Sequence, residues 1–431
     1  LNEEVTFYKN FSWNDTSLNR LWLFNLHYFD WARKWLDNLI DNKEWDKEAN
    51  SILYLIDYWI SSNNLKNGYG WHSYTISLRI RNWMWLFQFC PSLFSKNRIR
   101  SLWNQLCWLN FNQETCHGGN HYLENLITLI MVGMQFEGKY AQNIALESLI
   151  KLKSELNKQI LDDGGHEERS ASYHNLILDR LVELGCLIEI LKKDCPIWLK
   201  QYIKRMVTWS ESVRLINGKM PLFNDSPNDP YYHIDKIIDF SRAFLSKKCI
   251  NLNGLRGNLL NIAFGQNIQS LTYRRSLKIN NPIINLPQTG WIILRPGNHW
   301  ELIFKYGKSC PSHLAAHAHS DLLSFDIFHK GKEIICETAT STYWDTLKRN
   351  FERSSSAHNT LQMGRKINGK FNGVEPIDIW STFRAGKKAK YKCVDFGSKN
   401  DWLWAQGSHN GFDSLRGDHL RWLTIKIGRD N

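Results

Sequence analysis

The feature that most constrains this chain is a change of hydrophobic period near residue 270. From about residue 14 to 265 the apolar residues recur at helical spacing. Leu53, Leu55, Ile56, Trp59 and Ile60 share one face of Glu48–Ser61, and Leu176, Ile177, Leu181, Leu184, Leu187, Ile188 and Leu191 share another after Tyr173. Short polar clusters interrupt the pattern at Asn63-Asn64, His117–Asn120, Asp162–Gly165 and Asn224–Pro230. Many helices with short connections predict a helical bundle or an α/α ring, and the pattern alone does not choose. Beyond the change the period is two. Trp291–Arg295 and Trp300–Lys305 flank a Pro-Gly turn, and Leu323, Phe325 and Ile327 alternate with Ser324, Asp326 and Phe328 before the turn His329–Lys332 and the run Glu333–Cys336. The sequence therefore predicts a helical domain over 1–270 and an antiparallel sheet domain, read as a β-sandwich, over 271–431. The strand rhythm reaches the last residues without a clear closing element, as a truncated sandwich would.

Composition fits that division. The 431 residues suit two domains, and a 43% hydrophobic content supplies sizeable cores and excludes a disordered chain. The 20 Trp, 16 Tyr and 21 Phe exceed what two cores need, and several stand among polar residues, as in Trp71-His72-Ser73-Tyr74. Such rings suit the C–H-rich face of a sugar, although a large helical core with satisfied polar tips would read the same way. A formal net charge of +12 raises the local concentration of polyanions. Nucleic acid, anionic lipid and acidic polysaccharide all answer to that charge. The cations are dispersed, with no basic block and no zinc-finger spacing, which argues against nucleic acid as the partner. No run approaches the roughly 18–20 apolar residues of a membrane span, so no membrane insertion is expected. The nine cysteines form no CxxC pair and predict buried, reduced thiols in place of a disulfide framework.

Three segments concentrate reactive side chains. Gly118-Gly119-Asn120-His121-Tyr122-Leu123-Glu124-Asn125 opens a helix, with glycines that permit a sharp bend and with His121 and Glu124 on one face; Asn120 could equally be an N-cap. Asp163-Gly164-Gly165-His166-Glu167-Glu168-Arg169-Ser170-Ala171-Ser172-Tyr173-His174 places many titratable groups before an apolar helix. In the sheet region His313, His317, His319 and Asp321 fall within Ser312–Asp321, and in an extended chain His317, His319 and Asp321 share a face. Histidines at that spacing can hold a divalent metal, with Glu337 and His358 as further candidate ligands.

These segments resemble, in order, those of the heparinase II/III family of polysaccharide lyases. Leu21–Asp30 resembles the family's N-terminal block and Tyr74–Trp83 the next; the Asn-His-x-x-Glu turn, the Gly-Gly-His-x-Glu-Arg-Ser-x-x-Tyr-His segment, the His-x-His-x-Asp strand and Ser354–Thr360 follow. The resemblance implies an N-terminal (α/α) toroid packed on a C-terminal antiparallel β-sandwich, with the substrate cleft between them. It implies β-elimination on a uronate-containing acidic polysaccharide: a glycosaminoglycan such as heparan sulfate, chondroitin sulfate or hyaluronan, or alginate. By motif, Tyr173 matches the catalytic tyrosine, His317 the catalytic histidine, and Asn120 and His121 the positions that neutralise the uronate carboxylate. His319, Glu337 and His358 match the ligands of one divalent metal ion (Zn, Mn or Ca) expected to be structural; the family commonly has Asp where Glu337 stands. A periplasmic or secreted bacterial protein is expected by the same analogy, although no signal peptide is visible in a chain that begins at Leu1.

Elimination removes the C5 proton of a uronate and expels the C4 oxygen, so the carboxylate must be neutralised while a base and an acid act on the ring. Tyr173 could take either role if a nearby cation, with Arg169 the candidate, lowers its pKa; His317 would be the base for the opposite C5 epimer. His27, Tyr28, Arg79, Arg81 and Trp83, with Glu124, Arg169 and Asn224, complete the candidate substrate-binding set; interhelical packing and surface pairing are the alternative for the first five. A glycoside hydrolase using carboxylates from Asp163, Glu167 and Glu168, and a glycan-binding protein without turnover, are the competing readings.

Overall fold

The computed structural model describes residues 4–6, 11–42, 49–63, 68–116, 118–227, 233–265, 281–297, 299–344, 346–381, 383–413 and 422–428. The predicted domain boundary at 270/271, and Asn64, His117 and Asn228–Pro230 of the polar clusters, lie outside the described residues. Among the described residues eleven α-helices precede the first strand: α1 (Arg20–Tyr28), α2 (Asp30–Asn42), α3 (Ala49–Ser62), α4 (Ser73–Phe89), α5 (Lys96–Phe111), α6 (Gly119–Gly133), α7 (Lys139–Gln159), α8 (Ala171–Ile190), α9 (Ile197–Val213), α10 (Ile234–Ser246) and α11 (Gly254–Phe264). Twelve strands and one more helix follow.

The chain divides into two compact units, and the division falls within α7, α8, α9 and α10. The helical unit comprises Leu1–Asn157, Asp179–Lys200 and Ala243–Ser270. Its centre is α4, which packs against α1, α2, α5 and α6. A helix enclosed on every side needs apolar residues all round, and α4 supplies Ile76, Leu78, Ile80, Trp83, Met84, Trp85 and Leu86. The polar residues caught in this interior are matched in pairs. Glu183 accepts from Arg33 at 2.9 Å and from the Trp85 indole, Arg81 pairs with Glu124, and Arg256 reaches Asp179 at 2.7 Å. Arg180 lies 3.1 Å from Asp179 and 3.4 Å from Glu124. Two aspartates of α2 cap α11: Asp41 accepts from the Gly254 amide and Asp37 from the Leu255 amide, both at 2.7 Å.

The second unit comprises Lys158–Leu178, Gln201–Arg242 and Leu271–Asn431. Strands β1 (Ile283–Leu286), β2 (Trp291–Leu294), β3 (Trp300–Lys305), β4 (Phe325–His329) and β5 (Lys332–Ile335) form an antiparallel meander in sequence order. Lys330 and Gly331 both have positive φ, as a two-residue hairpin turn requires, so the predicted turn between β4 and β5 is present. After α12 (Leu347–Arg353) come the hairpins β6 (Met363–Ile367) with β7 (Lys370–Val374) and β8 (Ile377–Ile379) with β9 (Ala385–Lys388). Strands β10 (Tyr391–Lys399), β11 (Trp402–His409) and β12 (Trp422–Gly428) make a three-stranded sheet. Ile292, Leu294, Leu302 and Phe304 of the first sheet share one core with Leu403 and Ala405 of the last, which makes the two sheets a sandwich. Strand β2 is buried on both faces, and in β4 Asp326 and Phe328 are buried while Phe325, Ile327 and His329 are half-buried.

Among the described residues no disulfide is present and no helix is long and apolar enough to cross a membrane. Five of the nine cysteines are buried as expected, whereas Cys116 and Cys336 are exposed.

Candidate active site

In the sheet-bearing unit the reactive groups gather around one carboxylate that the sequence did not single out. Asp225 is fully enclosed and receives four side chains: His317 Nδ1 at 2.9 Å, His319 Nε2 at 2.8 Å, Arg349 Nη2 at 2.7 Å and Thr340 Oγ1 at 3.1 Å. Burial alone would raise its pKa. The hydrogen bonds from both histidines and the charge of Arg349 outweigh burial and hold it well below the usual carboxylate range. Asp225 is therefore an anion that fixes two imidazole rings at once. Its Oδ2 takes the Nδ1 side of His317, which leaves Nε2 as the ring's reactive nitrogen, 3.6 Å from the Glu168 carboxylate.

Tyr173 lies in the first turn of α8, whose start is fixed by Ser170: its hydroxyl accepts from the Tyr173 amide at 3.3 Å and donates to the Asp225 carbonyl at 2.7 Å. The Tyr173 ring stacks on His317 with centroids 4.0 Å apart, and its hydroxyl donates to Tyr343 at 3.0 Å. Burial, joined by Tyr343 and Asp225, pushes its pKa well above the ordinary value. The sequence expected Arg169 to lower it. That expectation is corrected: the Arg169 guanidinium donates to the Glu167 carbonyl at 2.6 Å and the Gln288 carbonyl at 3.0 Å, and so pins its own turn. The cation beside the tyrosine pair is Arg349, with Cζ 5.2 Å from the Tyr343 ring.

The two glycines of the Asp163–His174 segment allow its close approach to α9. A Cβ at Gly164 (φ +92°) would stand 2.4 Å from the Arg205 carbonyl oxygen, and one at Gly165 would stand 2.3 Å from Thr289 Oγ1. Asp163 accepts from the Thr289 amide at 2.6 Å and its hydroxyl at 3.0 Å, so it closes the turn. Asn224, expected to bind substrate, is likewise spent on structure. Its Nδ2 donates to the Ser309 carbonyl at 2.8 Å and the Arg169 carbonyl at 3.1 Å, and its Oδ1 accepts from the buried Lys305 at 2.6 Å. His317, His319 and Asp321 do not share a partner: both histidines turn to Asp225, whereas Asp321 pairs with Lys305. His313 is exposed, 3.5 Å from Glu167.

The three expected metal ligands fall into two pairs. His319 is bound to Asp225 through Nε2, and the Glu337 carboxylate lies on His358 Nδ1 and on the Ser324 hydroxyl. Among the described residues no group of three or more His, Cys, Asp or Glu is arranged to hold a metal. Yet His319 Nδ1 and His358 Nε2 are buried without a hydrogen-bond partner, and their rings are 5.3 Å apart. Two neighbouring imidazole nitrogens left unsatisfied, each ring oriented by a carboxylate through its other nitrogen, fit the donor chemistry of a divalent metal.

In the helical unit Gly118 (φ +63°) is the N-cap of α6, so Asn120 is not, and it sits buried in the first turn. His121 is half-exposed, stacks on Tyr74 with centroids 4.0 Å apart, and lies 3.2 Å from the Glu114 carboxylate. Tyr28 is half-buried with its ring edge-on to Tyr74. The remaining expected substrate ligands of this unit are interior residues, which corrects that assignment. Arg79 donates to Gln105 at 2.7 Å and lies over the Trp59 ring, Arg81 and Glu124 pair with each other, and Trp83 packs between Phe29 and Trp59. His27 accepts from the Trp59 indole at 2.8 Å, and burial with the Arg79 charge brings its pKa down to about 3.

Comparison with known proteins places this arrangement. The model of the heparinase II/III N-terminus matches residues 8–251, and that of the heparinase II/III-like C-terminal region matches residues 278–430. The chain belongs to the heparinase II/III family. It is 25% identical over 275 residues to the heparin-sulfate lyase of Bacteroides thetaiotaomicron, an alignment covering 58% of this chain and 37% of that protein. Among solved structures, heparinase III matches at a TM-score of 0.65 with 19% identity, over 91% of this chain and 59% of that one. A mutant of the heparan sulfate lyase HepC from Pedobacter heparinus matches at 0.62 with 17% identity, over 98% and 63%. This chain thus spans 37% of the curated relative and less than two thirds of these structures. The shared fold is the predicted one, an N-terminal (α/α) toroid followed by a C-terminal antiparallel β-sandwich.

Proposed function

We propose that this family member is a polysaccharide lyase that cleaves uronate-containing acidic glycans by β-elimination, with heparan sulfate and heparin the first substrates to test. The observation that carries the reading is the Tyr173–His317 stack, in which a phenol and an imidazole lie 4.0 Å apart and are held by separate partners. Buried Tyr173 keeps its proton, so it is the acid that delivers a proton to the departing C4 oxygen. His317 Nε2 is the base for the C5 proton, its ring held in one tautomer by Asp225. Asn120 and His121, in the first turn of α6, are the groups assigned to the uronate carboxylate, where amide and imidazole donors and the positive end of a helix favour an anion. His319 and His358, with Glu337, would hold a divalent metal, which when bound would fix the loop carrying His317.

Similarity to the heparin-sulfate lyase of Bacteroides thetaiotaomicron supports heparan-type substrates over the wider set of chondroitin sulfate, hyaluronan and alginate. A hydrolase would need two carboxylates free to flank the bond, and Asp163 is committed to Thr289. Incubation with heparin, heparan sulfate, chondroitin sulfates, hyaluronan and alginate, read by the ultraviolet absorbance of a 4,5-unsaturated uronate, tests the proposal. Absorbance growing with heparan-type chains is expected. New reducing ends without that absorbance would mean hydrolysis, and binding without either product would mean a glycan-binding protein.

A further inference from the structure

The β6–β7 hairpin takes no part in the chemistry above, yet its footing is next to it. At one end Ser355, three residues before His358 in the chain, donates its amide to Glu375 Oε2 at 2.8 Å and its hydroxyl to Glu375 Oε1 at 3.1 Å. Two residues further on, the Ile377 amide donates at 3.3 Å to the hydroxyl of Ser320, which stands between His319 and Asp321. Gln362 also donates to Ser356 at 2.8 Å. From this base the hairpin runs outward to a two-residue Asn368-Gly369 turn, both at positive φ, the geometry that holds a two-stranded ribbon in one register.

The ribbon carries Arg365, Lys366 and Lys370 and no acidic residue between Met363 and Val374, and all three cations are exposed. Directly opposed residues of an antiparallel pair share a face. Gly364 opposes Gly373 and Lys366 opposes Phe371, so one face consists of two glycines, a lysine and a phenylalanine. The ring lies against bare backbone: a Cβ at Gly364 would come within 2.7 Å of Phe371 Cζ. Phe371 is nevertheless 57% exposed. An apolar ring backed on one side by glycine and open on the other, with an ammonium beside it, can accept the C–H face of a pyranose and pair with its sulfate or carboxylate.

We propose that the β6–β7 hairpin is a binding finger for the acidic glycan chain, with Phe371 as the stacking platform and Lys366, opposite it on the same face, as its anion contact. The proposal rests on the acidic-glycan reading above and adds a subsite away from the reacting sugar. The test is the salt dependence of binding to heparin, measured in a Tyr173→Phe background so that turnover cannot interfere. Lys366→Ala is expected to lower the slope of log affinity against log salt by about one. Phe371→Ala is expected to weaken binding about five- to tenfold at every salt concentration with the slope unchanged. Lys151→Ala, which removes the same charge from the exposed surface of α7, is expected to change neither. If Phe371→Ala binds like its parent, or the α7 variant lowers the slope as far as the hairpin variant, the finger is excluded. A chain that binds through the hairpin and yet forms no unsaturated product would sink the lyase reading and leave the finger standing.

Discussion

Both units bury ion pairs, but only around Asp225 do they meet imidazoles and phenols among the described residues. In the helical unit the enclosed groups are arginines and carboxylates, Arg33, Arg81, Arg180 and Arg256 against Glu124, Glu183 and Asp179. Its enclosed His27 is kept neutral far below its usual pKa. In the sheet-bearing unit one carboxylate, Asp225, serves two imidazoles and an arginine beside a pair of phenols. Burial and charge therefore do not by themselves mark a site. The mark is an imidazole and a phenol stacked on each other and held by separate partners.

That contrast breaks if a change in one unit behaves like a change in the other. The largest effect is expected from Asp225→Asn, which leaves His317 with the wrong partner for its tautomer. By analogy with carboxylate–histidine pairs of hydrolases, kcat should fall by about 10³–10⁴-fold, measured as the initial rate of unsaturated-product formation. A loss below tenfold would mean that Asp225 is only a structural anion.

Next is Glu183→Ala, which strands Arg33 in the interior without its carboxylate. Removing one partner of a buried pair costs about 3–5 kcal/mol, so urea unfolding should shift while the rate per folded molecule does not. A variant of normal stability but depressed kcat would put the helical network in the chemistry.

The smallest effect is on pH. Burial alone would raise the Asp179 pKa, but Arg256, Arg180 and Arg33 outweigh it and bring it down to about 2. A carboxylate depressed in the folded state stabilises above its unfolded pKa and loses that stabilisation as pH falls through the folded value. The unit should therefore lose about 2 kcal/mol between roughly pH 4 and pH 2, and Asp179→Asn should abolish that part of the acid sensitivity. An unchanged acid profile in the variant would show that Asp179 does not carry it.

The strands of the sandwich were legible in the sequence because short apolar runs bounded by turns mark β2 and β3 and alternation survives in β4, and the helices because α8 and its neighbours keep an apolar face. Polar crowding singled out the segments that hold Tyr173, His317 and His319, and the family resemblance named the residues. Both missed Asp225, which stands in an Asn-Asp-Ser-Pro run indistinguishable from an ordinary turn, and Arg349, which lies in a short helix with charged neighbours. Only the folded chain brings those two to the histidines. Arg79 and Arg81 read from the sequence as substrate contacts or as interhelical packing, and the structure buries both, Arg79 against Gln105 and Trp59 and Arg81 against Glu124.

The central claim is that Tyr173 donates the proton that frees the leaving oxygen, and Tyr173→Phe tests it most directly. Its hydroxyl makes one hydrogen bond, to Tyr343, worth about 1 kcal/mol, so the variant should fold and keep the His317 stack. Formation of unsaturated uronate from heparan sulfate should fall by about 10²–10⁴-fold while heparin binding is retained. Full activity in the Phe variant would contradict the account.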